Sequence, residues 1–114
     1  MGSKERTKGH NYERALVKIF KTLGWLGCAT SRYASRKHDD NLIDLVGLPW
    51  HIQAKAVKCS VSYSKILEQM KINIKANDLE DLPCMIFHKK DRKESEELVV
   101  MSAKDFYKII VSSE

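Results

Sequence analysis

Apolar residues near the start of the chain recur every three or four positions. Tyr12, Leu16, Ile19, Phe20 and Leu23 share one face of a helix. The pattern starts this helix near His10 or Asn11, ends it at Gly24, and leaves residues 1–9 as a flexible basic segment. Glu13 falls in the first turn, where the helix dipole favours a carboxylate. "WLGCATSRY", residues 25–33, predicts a first strand, and "ASRKHDDN" a polar loop. "LIDLVGL" predicts a short second strand, "GLPW" a tight reversal, and "HIQAKAVK" a third strand that pairs back as a hairpin. After Tyr63 the period lengthens again, with Ile66, Leu67, Met70 and Ile74 marking a second helix. Cys84 to Phe87 predict a buried strand behind Pro83, "DRKESEE" a charged turn, and "LVVMS" a last strand. "SAKDFYKII" predicts a terminal helix, with Ser102 as its cap and Asp105 in the capping-box position. The order α-β-β-β-α-β-β-α describes a single α/β domain over residues 10–114, with a central mixed five-stranded sheet flanked by helices.

Three polar residues interrupt the apolar strands. Asp44 lies between Ile43 and Leu45, and Gln53 and Lys55 alternate with Ile52, Ala54 and Ala56. Charged groups seldom occupy short strands of a small core unless something pairs with them or uses them. Gln53 and Lys55 are two apart, so they share a face, and the short turn brings Asp44 beside them. A hard cation such as Mg²⁺ takes oxygen ligands at about 2.1 Å and keeps several waters. Asp44 offers a charged oxygen, Gln53 an amide oxygen and Ala54 a backbone carbonyl. Lys55, while protonated, offers charge to a phosphate instead. The plain alternative is a polar face of an edge hairpin, with Glu13 solvated on its helix. Asp39 and Asp40 are further acids, in a charged loop where solvation is the ordinary fate.

Composition adds a direction. The chain has 114 residues, with twenty Lys and Arg against fifteen Asp and Glu and a formal charge of +5. A small basic protein favours anionic partners, chiefly nucleic acid. Cys28, Cys59 and Cys84 are scattered and odd in number, which argues against a zinc or disulfide framework and for an intracellular setting, cytoplasmic or DNA-associated. No segment reaches the roughly 20 apolar residues of a membrane span, and the charged start lacks a signal-length apolar run.

These residues resemble the PD-(D/E)XK nuclease superfamily, and within it the archaeal and phage type of Holliday junction resolvase. "KGHNYERALVKIFKTLGW" is similar to the family's opening helix, with Glu13 matching its metal-holding glutamate. "LIDLVG" matches the strand with the metal-binding Asp, here Asp44, and "IQAKAVK" the strand ending in the catalytic tripeptide, so that Lys55 matches the catalytic lysine. Arg32 best matches the resolvases' arginine and Ser35 their serine, with Ser31 second. The resemblance covers roughly residues 6–76. It departs at Gln53, where the usual residue is Glu and a QxK form occurs in Mrr-type relatives, and at Ile43, which replaces the name-giving Pro. It implies a restriction-endonuclease-like core with Mg²⁺ (Mn²⁺ substituting) held by Glu13, Asp44, Gln53 and the Ala54 carbonyl. It further implies a homodimer that cuts four-way DNA junctions.

Arg6, Lys8, Arg32, Arg36, Lys37 and Lys58 are the expected phosphate contacts around such a centre. No helix-turn-helix, zinc finger or glycine-rich phosphate loop is visible, so recognition by DNA shape is expected over base reading. The small chain weakly suits a phage gene. The competing readings are another nuclease of the same superfamily, restriction-like or repair, and a non-catalytic basic nucleic-acid-binding module in which Asp44 and Lys55 merely pair.

Overall fold

The computed structural model describes residues 2–90 and 97–112, with residues 2–7 described as backbone alone. Helix α1 runs Gly2–Thr22, and the chain continues through β1 Ala29–Thr30, α2 Ser31–Ala34, α3 Arg36–Asp39, β2 Leu45–Val46 and β3 His51–Lys55. Then come α4 Tyr63–Ala76, β4 Cys84–Lys89, β5 Glu97–Met101 and α5 Ala103–Ser112. The five strands form one mixed sheet in the order β1-β2-β3-β4-β5. β3 and β4 are parallel, and the other neighbours antiparallel. Parallel neighbours need a crossover, and α4 supplies it. This is the coarse layout of a restriction-endonuclease-like core, with helices flanking a mixed sheet.

Tyr12, Leu16 and Phe20 of α1 pack on Ile52, Ala54, Ala56 and Met85. Met70 and Ile74 of α4 pack with Ile43 and Cys84 in a second cluster. Ile52 and Met85 are register partners, and Cys84 is the neighbour of Met85 along β4. Side chains alternate along a strand, so the two helices cover opposite faces. The central position of β3 explains why His51, Ile52, Gln53 and Ala54 are all buried despite alternating in character.

Several boundaries differ from the expected ones. The amphipathic pattern locates the buried face of α1 but not its start, which is Gly2. Glu13 therefore sits mid-helix, away from the terminal dipole that would favour it. Ile19 and Leu23 are exposed, because the core-facing stripe is Tyr12, Leu16 and Phe20 at strict four-residue steps. The predicted first strand shrinks to Ala29–Thr30, and the predicted loop carries two helical turns. Ser35 opens the second of these by accepting from the His38 N–H. The expected element order is thus corrected by the insertion of α2 and α3. Asp105 does not close a capping box. Its own N–H donates to Ser102 Oγ, and its carboxylate turns inward to Cys84 N–H at 2.9 Å and Lys71 Nζ at 3.0 Å. The charged turn expected after Lys90 lies outside the described residues through residue 96.

Two glycines have clear reasons. Gly24, at φ +106°, turns the chain out of α1. Gly47 has φ +82°, and any Cβ there would run into the Gly27 carbonyl, so the β2–β3 connection can approach β1 only through glycine. No helix among the described residues is long and apolar enough to cross a membrane.

Candidate active site

Asp44 lies one residue ahead of β2, not inside it. Its backbone is nevertheless fixed on both sides. The Asp44 N–H donates to the Ile52 carbonyl at 2.7 Å, and its carbonyl accepts from the Ser31 N–H at 2.8 Å. Leu42, in the left-handed region at φ 68°, turns the chain into this segment. Ile43 enters the α4-side core, while the Asp44 carboxylate meets β3. Asp44 Oδ2 accepts from Gln53 Nε2 at 2.9 Å and from the Ala54 N–H at 2.7 Å.

The expected neighbours are therefore in contact, with one difference in kind. Gln53 turns its amide nitrogen to Asp44, which leaves Oε1 buried without a hydrogen-bond partner among the described residues. A buried carbonyl oxygen left unpaired costs free energy, and it is the oxygen that a cation would use.

The electrostatics match this reading of the carboxylate. Burial pushes the Asp44 pKa from 3.8 up to about 7. The Ala54 N–H opposes the rise, the negative charges of Glu13 and Asp39 add to it, and Lys55 opposes it. Glu13 is buried on α1 and is likewise shifted upward by desolvation, against the pull of Arg32 and His10. Arg32 on α2 reaches Glu13 Oε1 with Nη2 at 3.4 Å, so two predicted site residues meet there. Lys55 is half-buried at the end of β3, and its side chain has no hydrogen bond or ion pair among the described residues. Its effect on Asp44 is through charge alone.

Of the two serine candidates, Ser31 is the nearer to Asp44. It is fully buried, donates its N–H to the Asp44 carbonyl, and its Oγ lies 3.5 Å from Asp39 Oδ1. Ser35 caps α3, with its Oγ 2.6 Å from His38 Nδ1. Asp39, expected to be a solvated loop acid, is half-buried and close enough to raise the pKa of both Glu13 and Asp44. Its only sequence signal is a cap at Ser35, which turns the supposed loop into a helix and Asp39 inward.

Among the proposed phosphate contacts, Lys8, Arg32, Arg36, Lys37 and Lys58 are all exposed to solvent. Arg36 also pairs with Asp40 at 3.6 Å. The side chain of Arg6 lies outside the described residues.

Among the described residues, no group of three or more His, Cys, Asp and Glu side chains is arranged to hold a metal ion. A site here would have to draw on other oxygens. The donor chemistry fits a hard divalent cation, because the available groups are the Asp44 carboxylate, the unspent Gln53 Oε1 and the Glu13 carboxylate. No protein-family model matches the chain, nor does any curated protein or solved structure.

Proposed function

We propose that this chain is a metal-dependent DNA endonuclease of PD-(D/E)XK type that cuts branched DNA, four-way junctions in particular. The observation that carries the reading is the meeting of Asp44 with Gln53 beside Lys55, with a buried amide oxygen left over. A polar face of an edge hairpin would be wet and would leave no such oxygen. Glu13, Asp44, Gln53 Oε1 and the Ala54 carbonyl are the groups that would hold Mg²⁺ or Mn²⁺. Such an ion supplies Lewis acidity toward a phosphate oxygen and lowers the pKa of water.

The chain's own residues have distinct parts. Lys55, whose side chain has no hydrogen bond or ion pair among the described residues, offers its ammonium to the charge that develops on the attacked phosphate. Ala54 and Gln53 hold the Asp44 carboxylate in one orientation. Arg32 holds Glu13 and keeps a third of its side chain exposed toward the backbone of a bound strand. Lys8, Arg36, Lys37 and Lys58 supply sequence-independent phosphate contacts.

A junction has near two-fold symmetry, which calls for two copies of the centre. α5 offers a surface for this, since Phe106, Tyr107 and Val111 are exposed, whereas Met70 and Ile74 of α4 are spent in the core.

Lys55→Ala tests the assignment. The variant should bind a labelled four-way junction in EDTA nearly as well as the parent, because it loses one positive charge of many. In Mg²⁺ its cleavage should fall by at least about 10²-fold. Undiminished cleavage would remove Lys55 from the chemistry. Binding without cleavage by the parent itself would favour the non-catalytic nucleic-acid-binding reading.

A further inference from the structure

His88 is fully buried on β4, in register with Lys55 on β3. Paired residues in a parallel ladder project to the same face, so the imidazole stands beside Lys55. Both of its nitrogens are engaged. Nε2 lies 2.8 Å from the Val57 carbonyl, and Nδ1 lies 2.7 Å from the Tyr63 hydroxyl. A carbonyl only accepts, so Nε2 carries the proton. In the tautomer with Nδ1 unprotonated, the Tyr63 hydroxyl donates to Nδ1. Tyr63 is the first residue of α4, and its ring also meets the imidazole edge-on at 5.7 Å.

Val57 is two residues beyond Lys55, where the chain has already left the ladder. The Tyr63–His88–Val57 relay therefore ties the exit of β3 to both β4 and the start of α4. Lys55 needs such a tie more than most charged residues. Its ammonium makes no ion pair or hydrogen bond among the described residues, so its place follows the backbone and the packing of its half-buried stem.

We propose that Tyr63 and His88 are positioning residues for Lys55, fixing the β3 exit through the Val57 carbonyl. The inference rests on the catalytic reading of Lys55 above. It has a structural consequence of its own, which is that the environment of the Lys55 side chain depends on the Tyr63 hydroxyl.

The test uses Tyr63→Phe, His88→Ala and His88→Gln in the full chain. Cleavage of a labelled DNA four-way junction in Mg²⁺ is measured together with the NMR resonance of the Lys55 ε-methylene, assigned by its loss in Lys55→Ala. Tyr63→Phe keeps the ring and removes only the hydroxyl, so it reports even where His88→Ala fails to fold. In Tyr63→Phe and His88→Ala, kcat should fall on the order of tenfold at unchanged KM, the scale of a displaced catalytic group. The Lys55 resonance should move in both. His88→Gln carries a donor for Val57 and an acceptor for Tyr63, so it should recover most of the loss and return the resonance toward its original position. An unmoved Lys55 resonance in Tyr63→Phe overturns the proposal, as does a His88→Gln variant no better than His88→Ala. A parent protein that cuts no DNA refutes the nuclease reading instead, and the resonance still decides the positioning claim.

Discussion

Gln53 is the residue on which the proposed chemistry turns. Its nitrogen binds Asp44 and its oxygen has no partner among the described residues, so Gln53→Glu exchanges a hydrogen bond for two adjacent carboxylates. Without metal the variant should be less stable by about 1–3 kcal/mol, the usual cost of a lost buried hydrogen bond. With Mg²⁺ the added charged oxygen should bind the ion more tightly. The melting temperature should then rise more steeply across a Mg²⁺ titration than in the parent, and equal responses in the two proteins would mean that Gln53 is no ligand. Asp44 carries a second prediction at this scale. Its folded pKa, about 7, stands above its ordinary 3.8, so the folded state holds the proton more tightly than the unfolded chain. The stability this contributes is fully present below about pH 4 and is lost as pH rises through 7. Melting followed from pH 5 to 8 in EDTA should show that loss, and Asp44→Asn should flatten it. Added Mg²⁺ should flatten it as well, since a cation favours the ionised carboxylate.

At the scale of elements, Asp105 joins three of them. From α5 it accepts from Cys84 at the head of β4 and pairs with Lys71 of α4, at 3% exposure. Asp105→Ala would strand the Cys84 N–H and remove an acceptor that orients α5. A loss of about 2–4 kcal/mol in denaturant unfolding is expected, with α5 the first element to lose protection from hydrogen exchange. The spacing of Ser102 and Asp105 points to a local cap because it reports only neighbours along the chain, and a partner 21 residues away is invisible to it. The same limit explains the other differences. The buried face of α4 was legible from its period, that of α1 only in Tyr12, Leu16 and Phe20, and the meeting of Asp44 with Gln53 from a short turn between alternating strands. The two helical turns over Ser31–Asp39 were not, since four-residue helices have no period to read. The contacts of Ser31 and Asp39 with the Asp44 region, and the Arg32–Glu13 pair, follow from those turns. The relay through His88 was hidden for a different reason, because a histidine inside a strand gives no sign of what its two nitrogens will meet.

At the scale of the whole molecule, the fold draws five side chains from four parts of the chain around Asp44. Glu13 comes from α1, Arg32 from α2, Asp44 from the approach to β2, and Gln53 and Lys55 from β3 itself. The formal charge of +5 suits a polyanionic partner, and the proposed homodimer would cover the exposed apolar residues of α5. Both expectations meet in one measurement, which is the cleavage of end-labelled four-way junction, flap and linear duplex DNA by the full chain in Mg²⁺ and in EDTA. The account predicts paired cuts in opposed strands of the junction, little cutting of linear duplex, and none of either in EDTA. Cleavage that persists in EDTA, or a protein that binds the junction and leaves it intact across a Mg²⁺ and Mn²⁺ titration, would contradict it.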